Sequence, residues 1–358
     1  MRILTVVGAR PQFIKAAVVS QEFARHDAIQ EIIVHTGQHH DANMSDVFFS
    51  ELGIPRPARN LGIAGGSHGA MTGRMLEGME TAILEERPDL VLVYGDTNST
   101  LAGALAASKL HVPVAHVEAG LRSHNRRMPE EINRILTDHC ADLLLTPTDT
   151  ASRNLAREGI EGERVVQIGD VMHDAALVYG TRADAASDVL GRLDLRRGGY
   201  VLVTLHRQEN SDHPARLAAI MDGLARVAAR IPVVLPLHPR TRKTIAAQGI
   251  APADGLRIVD PVGYLDMVAL EKGAAVIATD SGGVQKEAYF HGVPCVTLRD
   301  ETEWVELVES GWNRLCPPTD ADAVAGAVTA AIGTRGADVR PYGDGDASAR
   351  LVAALSGI

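Results

Sequence analysis

Polar residues of the kinds that move protons and hold phosphate stand directly after short apolar runs in this chain. Val93-Tyr94-Gly95-Asp96 ends one run in a carboxylate, and His116-Val117-Glu118 ends another. If those runs are neighbouring strands, both carboxylates face one cleft and suit general acid/base work. Asp96 could be only a helix N-cap, but its coincidence with Glu118 favours acid/base work. In Pro129-Glu130-Glu131 an acid at a helix start is stabilised by the dipole even without function. Arg10 and Lys15, after the Gly8 turn, are either an anion site or solvated charges beside a helix start. His206-Arg207 follows another apolar run and suits phosphate oxygens, although a lone strand-end histidine also serves structure. The strongest local pattern is Thr279-Asp280-Ser281-Gly282-Gly283-Val284, where small residues between a strand and a helix leave backbone N–H groups unhindered for an anion. Glu287, about a turn later, is placed to accept bonds from ribose hydroxyls, the alternative being a tight turn with close helix packing. No GxGxxG or GxxxxGK[ST] pattern occurs, which argues against ordinary dinucleotide or P-loop binding.

Elements that could position these groups are legible in the apolar runs. Ile3–Val7, Ile32–His35, Leu90–Tyr94, Val114–Val117, Leu143–Thr146 and Val165–Ile168 each read as a buried parallel strand. Helical patterns lie between them, at Phe13–Ala24, Met71–Glu86, Ser99–Lys109 and Glu131–His139, giving a βαβ alternation. A second series runs through Tyr200–Leu205, Val233–Leu237, Arg257–Val259, Ala275–Thr279 and Cys295–Leu298. The fold class expected is α/β, with two Rossmann-like doubly wound domains facing a cleft. A chain of 358 residues exceeds one ordinary core. The expected division is 1–170 with a returning helix in 346–358, and 171–345, with Gly169–Asp188 as the joining region.

Composition narrows the partners. Hydrophobic residues make up 46%, charged residues 22% and aromatics 4%, as in a soluble α/β protein. The net charge of −10 disfavours nucleic acid and anionic membrane, so an anionic ligand needs a local basic site. Cys140, Cys295 and Cys316 are far apart without CxxC spacing, which fits a reducing compartment and argues against a structural zinc site. The apolar run at Ile3–Val7 is too short for a signal-peptide core or a membrane span, so a cytoplasmic protein is expected.

Taken together, the segments resemble the non-hydrolysing UDP-N-acetylglucosamine 2-epimerase family. The likeness rests on Gly8-Ala9-Arg10-Pro11-Gln12, Thr36-Gly37-Gln38-His39, Tyr94-Gly95-Asp96-Thr97, Val117-Glu118-Ala119-Gly120-Leu121-Arg122, Pro129-Glu130-Glu131, His206-Arg207 and Asp280-Ser281-Gly282-Gly283, followed by Glu287 and Thr302-Glu303. Singly each segment is weak, but in this order across nearly the whole chain they are specific.

The resemblance implies a glycosyltransferase-B-like fold, a UDP-sugar substrate, a homodimer and no metal or nicotinamide cofactor. It assigns Asp96, Glu118 and Glu130, with His206, to the catalytic group, and Arg10, Lys15, Ser281, Gly282, Gly283 and Glu287 to substrate binding. It also implies that UDP-N-acetylglucosamine binds as an activator, with Gln38, His39 and Arg207 as the candidate site. The reaction implied is elimination of UDP to 2-acetamidoglucal and re-addition, interconverting UDP-N-acetylglucosamine and its manno epimer. Trp304 stands where many such epimerases have Arg, and the segment Arg122–Pro129 points the same way. Both resemble the branch acting on UDP-2,3-diacetamido-2,3-dideoxyglucuronate, which is the alternative substrate. A UDP-sugar-dependent glycosyltransferase and a catalytically silent nucleotide-sugar sensor are the competing functions.

Overall fold

The computed structural model describes residues 1–38, 51–237, 242, 245 and 255–357. Two compact units divide the chain, Met1–Ala175 with Arg340–Ile358, and Ala176–Val339.

The first unit is built on seven strands: β1 (Arg2–Val7), β2 (Gln30–His35), β3 (Arg59–Asn60), β4 (Leu90–Tyr94), β5 (Val114–Val117), β6 (Leu143–Thr146) and β7 (Val165–Gln167). They lie in the order β3-β2-β1-β4-β5-β6-β7, and every pairing is parallel. Each residue of β4, β5 and β6 is buried, as in strands covered on both faces. That double coverage explains why these strands read as continuous Val and Leu runs instead of alternating polar and apolar positions. The strand order reverses between β1 and β4, and ligands of open α/β sheets bind beyond the strand ends at such a reversal.

The second unit repeats the plan with β8 (Val201–Thr204), β9 (Val233–Pro236), β10 (Leu256–Val259), β11 (Val276–Thr279), β12 (Cys295–Thr297) and β13 (Asn313–Leu315). Their order is β10-β9-β8-β11-β12-β13, all parallel, with the reversal between β8 and β11. Val201, Val203, Val276 and Ala278 of the two central strands pack with Leu217, Leu224, Val324 and Val328 from flanking helices into one apolar core.

Each apolar run read from the sequence coincides with a strand. The two further strands, β3 (Arg-Asn) and β13 (Asn-Arg-Leu), are short and mostly polar, so no apolar run marks them. Most of the joining region Gly169–Asp188 is a helix, Val171–Ala186, whose Val171, Met172, Ala175, Tyr179 and Ala183 are buried at helical spacing.

The final helix, Ala347–Leu355, packs in the first unit against the helix Arg10–Phe23. Asp174 supplies its cap, accepting from the Ala347 N–H at 3.1 Å and the Ser348 N–H at 2.7 Å. Burial pushes the Asp174 carboxyl up, and those bonds offset the effect only in part. Among the described residues no helix is long and apolar enough to cross a membrane.

Candidate active site

The ends of β1 and β4, at the reversal of the first sheet, are tied together by Gln12. Its buried side chain accepts from the Gly8 and Ala9 N–H groups at 2.9 and 3.0 Å. It also donates to the Tyr94 carbonyl at 2.9 Å and to Thr100 Oγ1 at 3.0 Å. A Cβ at Gly8 would fall 2.2 Å from Ser99 Oγ, so only glycine admits this approach. Arg10 opens the following helix and is half-buried, while Lys15, on the same helix, is buried and ion-paired with Glu118.

The carboxylates leave adjacent strand ends, because the register places Tyr94 of β4 opposite Val117 of β5. Glu118 is buried and has φ +74°. A non-glycine residue there costs roughly 1–2 kcal/mol, so its surroundings must hold it, as strained functional residues are held. Gly95, at φ +63°, passes so close that a Cβ would lie 3.2 Å from Glu118 Oε2 and 3.3 Å from Lys15 Nζ.

Asp96 is half-buried, its carboxylate paired with Arg134 and its carbonyl accepting from Asn133 Nδ2 at 3.0 Å. It is not the N-cap of the helix Asn98–Lys109. Thr97 has that role, its Oγ1 accepting from the Thr100 N–H at 3.2 Å. With capping assigned to Thr97, the Asp96 carboxylate is left for other work.

Glu130 and Glu131 also separate. Glu131 is buried and accepts from the N–H groups of Ser123 and His124, each at 2.9 Å, and from Arg134 at 3.1 Å. It therefore holds the 123–128 loop, whereas its neighbour Glu130 is exposed.

In the second unit, β8 and β11 flank the reversal, and the Asp280 carboxylate is turned back onto the neighbouring strand end. It accepts from the His206 N–H at 3.2 Å, the Arg207 N–H at 3.1 Å and Asn210 Nδ2 at 3.2 Å. The His206 side chain remains 57% exposed, with Nδ1 3.7 Å from that carboxylate, so the ring is presented to solvent on a fixed backbone. Ser281 is the N-cap of the helix Gly282–Phe290. A Cβ at Gly282 would meet Glu303 Oε1 at 2.9 Å, while at Gly283 the nearest atom is Ser281 Oγ at 3.9 Å. The protein thus packs against Gly282 and leaves the Gly283 side open to an anion approaching the helix N-terminus.

Glu287 lies on this helix and is buried. Trp304, 3% exposed, packs behind the turn, with the Lys286 ammonium 4.0 Å from its ring centre. The indole supports the Gly282 turn from within the unit and offers its face to a cation.

Gln38 of the candidate activator site accepts from the Ser99 N–H at 3.1 Å and Ser99 Oγ at 2.7 Å, in the first unit. Arg207 is half-buried in the second unit, and His39 lies outside the described residues. Cysteine chemistry is disfavoured, since burial raises the thiols of Cys140 and Cys316 and pushes Cys295 up to about 12. Residues not singled out from the sequence as site residues include Gln12, Arg134 and Asn133. Only the Asn133-Arg134 pair one turn after Glu130 hinted that this helix presents more than one functional group.

Two doubly wound parallel sheets in one chain, each with polar groups beyond its central strand ends, form a glycosyltransferase-B-like fold suited to a nucleotide sugar. The family model described as UDP-N-acetylglucosamine 2-epimerase matches residues 21–356. A UDP-2,3-diacetamido-2,3-dideoxy-D-glucuronate 2-epimerase of Pseudomonas aeruginosa is 54% identical over 359 residues, covering 99% of each chain. The crystal structure of the Methanocaldococcus jannaschii UDP-GlcNAc 2-epimerase in complex with UDP-GlcNAc and UDP superposes with a TM-score of 0.93 at 41% identity, covering 100% of each chain. That of the Neisseria meningitidis UDP-GlcNAc 2-epimerase bound to UDP-GlcNAc gives 0.92 at 30% identity, again over 100% of each chain. The chain belongs to the UDP-N-acetylglucosamine 2-epimerase family and is by that membership an isomerase of UDP-sugars.

If the Ser281–Glu287 segment holds UDP, Glu287→Ala is expected to weaken UDP binding by about tenfold or more, the worth of a hydrogen bond to a buried carboxylate. Titration calorimetry on the folded variant measures this directly, and an unchanged UDP affinity removes Glu287 from the site.

Proposed function

We propose that this protein inverts C2 of a UDP-2-acetamido sugar without hydrolysis, by eliminating UDP and adding it back. C2 of such a sugar bears the acetamido group and has no neighbouring carbonyl, so deprotonation to a stabilised carbanion is closed. Elimination avoids the carbanion. One group removes the C2 proton as the C1–O bond to UDP breaks, leaving a C1–C2 double bond. UDP then re-bonds to C1 while a proton reaches C2 on the opposite face. Asp96, Glu118 and Glu130 are the acid/base groups of this reading, and exchange on two faces requires at least two such groups.

Arg10, Lys15 and His206 stabilise charge on the departing diphosphate, and the turn Ser281–Gly283 holds it with backbone N–H groups. The single observation that carries the reading is the pair of carboxylates at adjacent strand ends, Glu118 against Lys15 and Asp96 against Arg134. A nucleotide-sugar sensor has no use for them.

For the sugar, the 54% identity over the whole chain favours the 2,3-diacetamido uronate. UDP-N-acetylglucosamine is the second reading, supported by the 41% identical relative crystallised with it. Cytoplasmic location, assembly as a homodimer, a role in supplying polysaccharide precursors and activation by UDP-N-acetylglucosamine through Gln38, His39 and Arg207 belong to the same proposal.

Side-by-side kcat/KM measurements on the two UDP-sugars are expected to favour the diacetamido uronate, and preference for UDP-N-acetylglucosamine reverses the order. In D₂O the product is expected to carry deuterium at C2 with UDP still attached. Retention of the original hydrogen excludes elimination with return of a solvent-derived proton.

A further inference from the structure

Beneath the two carboxylate-bearing turns lies a buried charge network that the reaction as described does not use. His116, in β5, is 0% exposed and makes two short contacts. Its Nδ1 lies 2.7 Å from Asp138 Oδ1 and its Nε2 lies 2.7 Å from the Gly95 carbonyl oxygen. A carbonyl oxygen only accepts, so Nε2 must carry a proton. The other Asp138 oxygen receives the Gly120 N–H at 3.2 Å and the Arg122 guanidinium at 2.7 Å, bonds that favour the ionised carboxylate. Burial by itself would raise the Asp138 carboxyl, but the bonds and charges of His116 and Arg122 outweigh it and hold it below the usual carboxylate range. With Asp138 ionised, the 2.7 Å bond needs its proton on Nδ1, so both ring nitrogens donate.

Charges balance along the network. Arg122 turns its remaining fork to Glu158, with bonds of 2.7 and 2.6 Å, so cations and carboxylates alternate from the buried ring out to a surface glutamate.

We propose that His116, charged on both nitrogens and anchored by Asp138, is a positioning residue for the catalytic carboxylates Asp96 and Glu118. The ring grips the carbonyl of Gly95, the residue before Asp96, and Asp138 grips the N–H of Gly120, two residues after Glu118. One buried ion pair therefore spans both turns. It keeps Gly95 at φ +63° and limits relaxation of Glu118 from φ +74°. Beside an ionised Asp138 a neutral ring could not hold both contacts, because the Nδ1 lone pair would oppose a carboxylate oxygen at 2.7 Å. The proposal rests on the carboxylate assignment of the proposed function.

The test combines kinetics with the protonation state of the ring. His116→Gln offers a donor to only one of the two acceptors, and Asp138→Asn removes the anchoring charge. Both are expected to lower kcat by about tenfold or more while KM for the UDP-sugar that is turned over, and calorimetric UDP affinity, stay within about twofold. In ¹⁵N-histidine-labelled parental protein at pH 7, both ring nitrogens of His116 are expected to show imidazolium signals, identified by their loss in His116→Gln. Should His116→Gln fail to fold, Asp138→Asn and the ring signals decide. Parental kcat in the variants, or an unprotonated ring nitrogen in the parental protein, overturns the proposal. The two readings fail separately. Parental turnover in both Asp96→Asn and Glu118→Gln overturns the carboxylate assignment whatever the ring signals show, whereas a neutral ring with those variants inactive overturns the His116 proposal alone.

Discussion

Replacing Glu118 by Gln is expected to reduce turnover by at least about a hundredfold, the usual worth of a positioned acid or base, while the protein still folds and binds UDP. Gln keeps the size of the side chain and can still accept from Lys15, but it cannot carry a proton away. The loss should appear in kcat. Lys15 is then left facing a neutral group in a buried setting, so a lowered melting temperature is expected too and must be measured separately. Asp96→Asn and Glu130→Gln are the companion variants. Asp96 meets Arg134 and should behave like Glu118. Glu130, exposed beside a Glu131 committed to the 123–128 loop, loses turnover only if it faces substrate. Epimerisation at the parental rate in all three variants would mean that other groups transfer the protons.

The second large effect is on folding. Gly120 has φ +82°, and a Cβ there would lie 2.3 Å from the Ala151 carbonyl oxygen and 3.0 Å from Leu155 Cγ. Gly120→Ala must therefore adopt a left-handed conformation and also push β5's exit away from the helix Asp149–Arg157. The sum is roughly 2–5 kcal/mol, a left-handed penalty plus overpacking. Gly159→Ala is the control, with φ +78° but nothing within 4 Å, so only the backbone cost of roughly 1–2 kcal/mol applies. Denaturant melts of the two variants should differ by the packing cost. Equal losses would show that the Ala151 contact relaxes without penalty.

Glu118 and Asp96 were legible as candidates in the sequence because each stands at the end of a short, largely apolar run, and such a run in a parallel sheet ends where ligands bind. The turn at Ser281–Gly283 was legible for a similar reason, since small residues between strand and helix have a local conformational meaning. Apolar runs likewise located every strand of four or more residues, and helical patterns marked four helices of the first half, but not Val171–Ala186 or Pro214–Ala228. These features depend on neighbours in sequence, where side-chain type and backbone preference act together.

What the chain could not disclose by itself was which side chain meets which. Lys15 pairs with Glu118 across 103 positions and Arg134 with Asp96 across 38, and no spacing rule links residues brought together by strand order. Competing roles were settled the same way. Thr97, not Asp96, caps its helix because the backbone direction points its hydroxyl at the Thr100 N–H. Glu131 turns inward and Glu130 outward because consecutive helix positions face about 100° apart. Trp304, which in the sequence marks the alternative substrate branch, packs behind the Gly282 turn under Lys286. The charged state of His116 is the extreme case. It rests on two partners on opposite sides of one ring, contributed by the turn after β4 and by the helix Pro129–Cys140, and burial makes their geometry decisive because the ring is closed to solvent.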